Sequence, residues 1–437
     1  MKIENFKSEN KANRKRVSAT VCWEDCSHED YEVYFETDEK FAEGFDSNPH
    51  AALIAYIIPA LRHGEKRIFM DAEICPQLKD GVNTAMRWIS HWYYGGNRKP
   101  LQIEAKTRSK TPTPHTRLRT GLFFSGGIDS LASLRSNRLN FPLEHPGSIK
   151  DGILAYGFDV RFEETFDELV GFLSDIVEET GIILMPFFSN LFTHYLSLDL
   201  DSLVNKDPGV WAYQYQGAAL AGAAHLFTKR LDAVNIAATF DIANLRPFGS
   251  HPLLDPYFSS SDMQIRHDGI TLSRLDKVKL IADWDVGLQS IRVCNQIGDW
   301  DVDSQSYRDR NPFERGKLNC GKCWKCVVTM LAMLVAGVLH KASTFPSNDI
   351  SEDLIRSSFD PNDQNIADFA ELIAPLTEMG RDDLVRAIER KMDMYLEREP
   401  GLKGWAKRFD RKYLHGNLAG FRRVIQRLEV RSRAGAG

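Results

Sequence analysis

Apolar and polar positions follow two periods in the first part of the chain. Residues 17–23, 31–36 and 66–70 alternate singly, as strands with one covered face do. Residues 49–63 and 81–94 carry apolar side chains at three- and four-residue spacing, which predicts helices. From 120 onward short apolar runs, at 122–124, 152–158, 182–187 and 233–238, are separated by the helix-like stretches 162–179 and the Ala-rich 210–229. Such alternation builds a parallel sheet with helices on both faces. Later segments read as helical only, at 366–378 and 382–397.

Between the first two patterns lies a basic stretch, 105–119, with the run Thr-Pro-Thr-Pro. Each proline drives the residue before it out of helical conformation, so the stretch reads as a linker. The expected organisation is an N-terminal α/β domain at 1–104, the linker at 105–119, a doubly wound α/β domain at 120–345 and a helical region at 346–437. No internal repeat is visible.

Composition changes this picture little. With 43% hydrophobic and 26% charged residues the chain is that of a globular protein, neither disordered nor collagen-like. A net charge of −5 does not suggest a nucleic-acid binder, although residues 401–437 concentrate ten Lys or Arg against Asp410 and Glu429. That stretch can meet RNA or an acidic partner, and a solvated helix face is the plainer reading. The amino-terminal residues are polar and carry no apolar secretory core. The longest apolar run, 327–339, has 13 residues where a membrane span needs roughly 20. A cytoplasmic protein without a membrane segment is expected.

Two motifs carry chemistry. The first, Leu122-Phe-Phe-Ser125-Gly126-Gly127-Ile128-Asp129-Ser130, reads as a strand, a glycine turn and a helix start. Gly126 and Gly127 let backbone approach a ligand closely, and the free amides of a helix N-terminus face an anion. Ser125 and Ser130 add hydroxyls, and Asp129 can hold a magnesium ion against phosphate. The spacing is neither a Walker A loop nor a Rossmann fingerprint. In a doubly wound sheet this turn lies outside the carboxyl ends of the strands, where ligands bind.

The second is Cys320-x-x-Cys323-x-x-Cys326, with Cys294 upstream. Four thiolates suit a tetrahedral structural zinc, and the apolar run from Val327 is expected to start a helix directly after the last ligand. Cys22, Cys26 and Cys75 read as ordinary residues.

The first motif resembles the S-G-G-x-D-S signature of the PP-loop ATP pyrophosphatases. Together the two motifs resemble one branch of them, the 7-cyano-7-deazaguanine synthase or QueC-like enzymes, over 121–345. A Lys on the helix leading to the first Cys of that family is matched here by Lys277. The resemblance implies ATP and magnesium at Ser125–Ser130, zinc at the four cysteines, and cleavage of ATP to AMP and pyrophosphate. It implies adenylation of a small carboxylate such as 7-carboxy-7-deazaguanine, for amide or nitrile formation with ammonia or another amine. The family's Pro-Gly-Arg-Asn stretch is replaced by Pro208-Gly209-Val210-Trp211, and its Arg after the last Cys by a residue near Thr329. Those departures, with the extra N-terminal region, suggest a diverged member that stops at an amide or joins the acid to another amine, including a protein acceptor. The enlarged architecture is similar to QueC-like proteins of bacterial anti-phage systems. Two other readings are a PP-loop enzyme that modifies tRNA and a non-catalytic nucleotide-binding scaffold.

Further candidates lie in 241–268, a polar stretch after a predicted strand, where Arg246, His251, Asp255, Arg266 and His267 can contact substrate or phosphate. Asp159, at a strand end, can hold adenosine or metal. Lys277 can neutralise a phosphate or face solvent.

Overall fold

The computed structural model describes residues 1–109, 118–158, 163–198, 210–294, 318–358, 362 and 365–398. Among these residues ten strands form one sheet: β1 (Lys2–Lys11), β2 (Arg14–Cys22), β3 (Tyr31–Asp38), β4 (Arg67–Ile74), β5 (Gln102–Thr107), β6 (Thr120–Phe123), β7 (Ile149–Tyr156), β8 (Ile183–Ser189), β9 (Ala233–Ala237) and β10 (Gln264–Asp268). Their order is β10-β9-β6-β7-β8-β3-β2-β1-β4-β5.

The half built from β6 to β10 is parallel throughout. The chain enters at its centre on β6, steps outward through β7 and β8, then crosses to the other side for β9 and β10. This is a doubly wound arrangement, and its connections diverge between β6 and β9. β1, β2 and β3 form an antiparallel meander, and β1, β4 and β5 run parallel.

The two halves meet at β3 and β8, which pair antiparallel through Phe35, Glu36 and Thr37 against Ser189, Phe188 and Phe187. The sheet therefore runs unbroken through the regions that the sequence separates at 104–120. Burial explains the join. Phe187 and Phe35 are both buried and stack at 6.0 Å between centroids. The Thr37 hydroxyl donates to the Pro186 carbonyl at 2.8 Å. Left unpaired, β8 would expose its backbone groups at a sheet edge. β5 extends to Thr107, three residues into the stretch read as a linker, and 110–117 lie outside the described residues.

Helix α1 (Pro49–His63) begins with proline after an Asn48 cap, whose side chain accepts the His50 N–H at 3.0 Å. It is buried from His50 to Leu61, as its run of Ala, Leu and Ile demands, and packs on the Ala-rich helix Gln216–Ala224. Helix α2 (Pro76–Tyr94) starts five residues earlier than its apolar spacing suggests, with Pro76 in its first turn. Helix α3 (Ile128–Asn140) follows β6. At the opposite end of the parallel strands, the fully buried Asp151 carboxylate binds the guanidinium groups of Arg119 (2.9 Å) and Arg230 (2.8 Å). These ion pairs fix the floor of the sheet and leave the other end of β6 for the turn described next.

Candidate functional site

β6 runs into Phe124, whose N–H donates to Ile153 O at 2.9 Å and keeps the turn registered on β7. Gly126 has φ +71°, and a Cβ there would lie 3.0 Å from Leu173 Cδ2. The left-handed backbone favours glycine, and a side chain there would also have to displace Leu173 slightly. Gly127 is extended and caps α3. Its carbonyl accepts the Ser130 hydroxyl at 3.0 Å and the Leu131 N–H at 2.9 Å, and its N–H donates to Ser125 Oγ at 3.3 Å. The first-turn amides of α3 have no partner within the helix and carry the positive end of its dipole.

Above this turn lies a cavity of about 400 Å³. Ser125, Gly127, Ile128, Asp129 and Ser130 form its floor. The carboxyl ends of β7 (Ile153, Leu154, Ala155) and β9 (Ile236, Ala237) form its flanks, so it opens where the connections from β6 and β9 diverge. Phe158 with Trp211 and Phe240 with Phe248 form aromatic pairs in its lining, which also holds the polar Gln216 and Thr239. Arg274, Arg292 and Lys325 line it too, with Cys294 and Trp324, and the charges of Arg274 and Lys325 reach Asp129. One chamber thus joins an apolar slot to a cationic wall over a glycine turn.

Lys277 is brought to this turn. The capping box of Ser273 and Asp276 starts its helix, Arg274–Ile281, and directs Lys277 inward. Its ammonium, 3% exposed, donates to Asp129 Oδ1 at 2.7 Å and to Ala238 O at 2.6 Å. Burial pushes the Asp129 carboxyl up, but the charges of Lys277 and Arg274 outweigh that and hold it below the ordinary carboxylate range. Asp129 is ionised at neutral pH and still 28% exposed.

The residues singled out in 241–268 do not line the chamber. Asp255 is fully buried and serves its own loop: it accepts the Ser250 hydroxyl (2.7 Å), the His251 N–H (3.2 Å) and a bond with His267 Nδ1 (2.7 Å). His251 packs edge-on against Trp92, and burial with the nearby His267 pushes it down to about 4. Arg266 lies on edge strand β10 and binds the Gln264 side chain at 2.7 Å. Arg246 reaches the chamber only indirectly, over the ring of Phe240 at 4.6 Å. These polar groups are consumed in shaping the loop, and its contribution to the chamber is Phe248 with the neighbouring Thr239 and Phe240. Asp159 lies outside the described residues, one position beyond Phe158.

The four cysteines converge. Cys294, Cys320, Cys323 and Cys326 place their sulfurs within 4.8 Å of one another. Individual separations are 3.8 Å (Cys320 to Cys326), 3.9 Å (Cys294 to Cys323) and 3.4 Å (Cys323 to Cys326). A tetrahedral zinc with bonds of about 2.3 Å sets its sulfurs about 3.8 Å apart, so the set fits that ion. Hydrogen bonds among the thiols pull Cys320 down and push Cys326 up, since four sulfurs this close cannot all ionise without a cation between them. Gly321 turns the knuckle with φ +67°, its absent Cβ leaving room for Pro346. The following helix, Trp324–Val335, begins before the last ligand rather than after it. Cys323 is its N-cap, which puts Cys326 in the first turn and lets a one-turn rise bring the two sulfurs together.

Asn319 completes this unit. Its buried side chain accepts the N–H groups of Val293 (2.8 Å) and Cys294 (3.2 Å), and donates to Ile291 O (2.9 Å) and Thr344 Oγ1 (3.1 Å). It clamps the Cys294 segment to the knuckle. The only sequence signal is its place immediately before Cys320. Asn319→Ala would orphan two buried amides and a carbonyl. A loss of about 2–4 kcal/mol in chemical unfolding is expected, at 1–3 kcal/mol per unsatisfied group with partial relaxation. A change below about 0.5 kcal/mol would remove the clamp from the account.

No family model matches the chain, and no curated protein or solved structure matches it significantly. Among the described residues no helix is long and apolar enough to cross a membrane.

Proposed function

We propose that the chain binds ATP on the Ser125–Ser130 turn and uses it to adenylate a small carboxylate, releasing pyrophosphate. The observation that carries this reading is the coincidence of the glycine turn, the buried Lys277–Asp129 pair and three further cations around one chamber at the sheet's switch point. In the reaction, a carboxylate oxygen of the acid attacks the α-phosphorus and the bond to the bridging oxygen breaks. The electron pair leaves with pyrophosphate, and an acyl-adenylate remains. The α3 amides and the Ser125 and Ser130 hydroxyls would hold phosphate oxygens, and Arg292 and Lys325 would balance the growing charge of the leaving group, with Arg274, already paired with Asp368 at 2.9 Å, adding a partly neutralised charge. Magnesium would be held by Asp129 together with the phosphates, as is usual for an ion that keeps few protein ligands, and would supply charge neutralisation.

The acid would lie toward Trp211, Phe240 and Phe248, where flat apolar walls suit an aromatic ring. A 7-carboxy-7-deazaguanine-like acid fits that description. Val210 and Trp211 occupy the positions of the family's Arg and Asn, and Thr329 is buried with its hydroxyl donating to Lys325 O at 2.7 Å. A product that stops at the amide, or an amide to a larger amine, follows from those replacements.

The purified protein with magnesium and ATP is expected to form AMP and pyrophosphate only when a matching acid is present, and mass spectrometry of the product formed with ammonium identifies amide or nitrile. ATP turnover that requires tRNA and no free acid would replace this reading with RNA modification. No AMP with any acid or RNA would leave a nucleotide-binding scaffold.

A further inference from the structure

Arg274, Arg292 and Lys325 line the chamber, and two of these three cations are carried by the cysteine unit. Arg292 stands two residues before Cys294, and Lys325 stands between Cys323 and Cys326. The first is stitched to the glycine turn through backbone: Arg292 N–H donates to Gly126 O at 2.9 Å. The carbonyls of Ser290 and Arg292 lie 3.7 and 3.5 Å from where Cβ atoms of Gly126 and Gly127 would be. The same segment is tied by Asn319 to Cys320, and Cys294 contributes a sulfur to the cluster. Lys325 is held by the first turn of Trp324–Val335, whose cap is Cys323. A continuous path of hydrogen bonds and covalent neighbours therefore joins four sulfurs to the anion-facing turn.

We propose that Arg292 and Lys325 are phosphate-binding residues positioned by the Cys294–Cys320–Cys323–Cys326 metal, so that metal binding and phosphate binding strengthen each other. The physical cause is shared geometry. Four thiolates with no cation between them repel and release the knuckle, and both cations leave the chamber with it. An anion that engages the same cations resists that release. Linkage makes the coupling reciprocal: whatever factor the metal adds to nucleotide affinity, the nucleotide adds to metal affinity. The proposal extends the ATP-binding reading above by naming residues and a regulator of that site.

The test uses the full-length zinc-loaded protein with α,β-methylene ATP and magnesium, followed by calorimetry and by zinc transfer to a colorimetric chelator. Lys325→Met, at unchanged zinc content, is expected to weaken nucleotide binding about tenfold, the scale of one charge-assisted contact, with Lys325→Arg restoring most of it. Saturating nucleotide should slow zinc release about tenfold in the parent protein and much less in Lys325→Met. Arg292→Met repeats the binding measurement from the other carrier. Nucleotide affinity unchanged in both variants, or zinc release indifferent to nucleotide, overturns the proposal while leaving the ATP reading intact. If the loaded parent binds no nucleotide, the ATP reading falls, and inorganic pyrophosphate in the same two assays decides the coupling alone. Failure of pyrophosphate to bind or to slow zinc release ends it.

Discussion

Asp129→Asn is expected to cut the proposed AMP formation by about 100- to 1000-fold, the usual loss when one preorganised electrostatic group leaves a phosphoryl or acyl transfer site. The substitution keeps the shape of the turn but leaves the Lys277 ammonium, 3% exposed, without its counter-charge, with only neutral acceptors, the Asn oxygen and the Ala238 carbonyl, beside it. Breaking a buried ion pair from one side costs about 3–5 kcal/mol. Asp129 retains 28% exposure, so solvent screening reduces the expected loss to about 1–3 kcal/mol. The double replacement Asp129→Asn with Lys277→Met removes both charges and should recover most of that stability, with no recovery of AMP formation. A double variant as unstable as the single one would show that the pair is not what holds the turn.

The same pair sets a pH dependence with a definite sign. The folded carboxyl of Asp129 lies below its unfolded value, because Lys277 and Arg274 together overcome the effect of burial. Its stabilisation is therefore complete above the unfolded value of about 3.9 and is lost as pH falls through the lower folded value. Parent and Asp129→Asn should differ in stability at pH 6 and converge in strong acid. A constant difference down to the lowest pH at which the protein folds would contradict the assignment.

What the residues reveal before folding differs by level. The turn at Ser125–Ser130 is legible because glycine, serine and aspartate sit where an apolar strand becomes a helix; Gly126 and the serines serve the local backbone, whereas Asp129 meets the distant Lys277. The cysteine set is legible for the same reason, since the ligands bring their own spacing. Strand β1 escapes notice because Lys2–Lys11 is mostly polar and exposed, with only Ile3 buried among its residues. Strand β10 escapes because its five residues, Gln264 to Asp268, lie inside a polar stretch dense with turn formers. The helical pattern at 162–179 resolves into Glu163–Phe172 and Ser174–Thr180, and that at 366–378 into Ile366–Ala370 and Ile373–Glu378. In the Ala-rich stretch the first turn, Trp211–Tyr215, is π-helical, a local distortion that often accompanies function and here sets Trp211 and Ala212 against the chamber.

Pairing between β3 and β8 is a different kind of information. Alternation tells which face of a strand is buried but not which strand lies beside it. The regions 1–104 and 120–345 therefore look independent in sequence, although one sheet crosses both and the apolar layer around Phe35, Phe187, Phe227 and Tyr215 belongs to both. The cations of the chamber escape for a related reason. Arg274, Arg292 and Lys325 come from three separate segments, and only the packing of the helices Arg274–Ile281 and Trp324–Val335 near α3 gathers them. Conversely, His251, Asp255 and His267 read as possible substrate or phosphate contacts, and the fold uses them to bond one another and their own backbone.

Cys326→Ser is expected to empty the metal site and to loosen one defined part of the molecule. A serine oxygen is a poorer zinc ligand than a thiolate, and the three remaining sulfurs leave one corner of the tetrahedron open. Cys326 is fully buried beside Val327, Met330 and Leu331, so apolar packing of Trp324–Val335 persists in part. The cost is therefore expected below the roughly 10–16 kcal/mol of apparent zinc-binding energy seen when a small finger depends wholly on its metal, and nearer to about 3–5 kcal/mol. Hydrogen exchange should speed up at 290–294 and 318–326, where Asn319 and the sulfurs hold backbone. It should stay slow in β1 to β4, which belong to the other apolar layer. Stoichiometric zinc in Cys326→Ser, or exchange that rises equally across both layers, would mean that the four sulfurs do not act as one site.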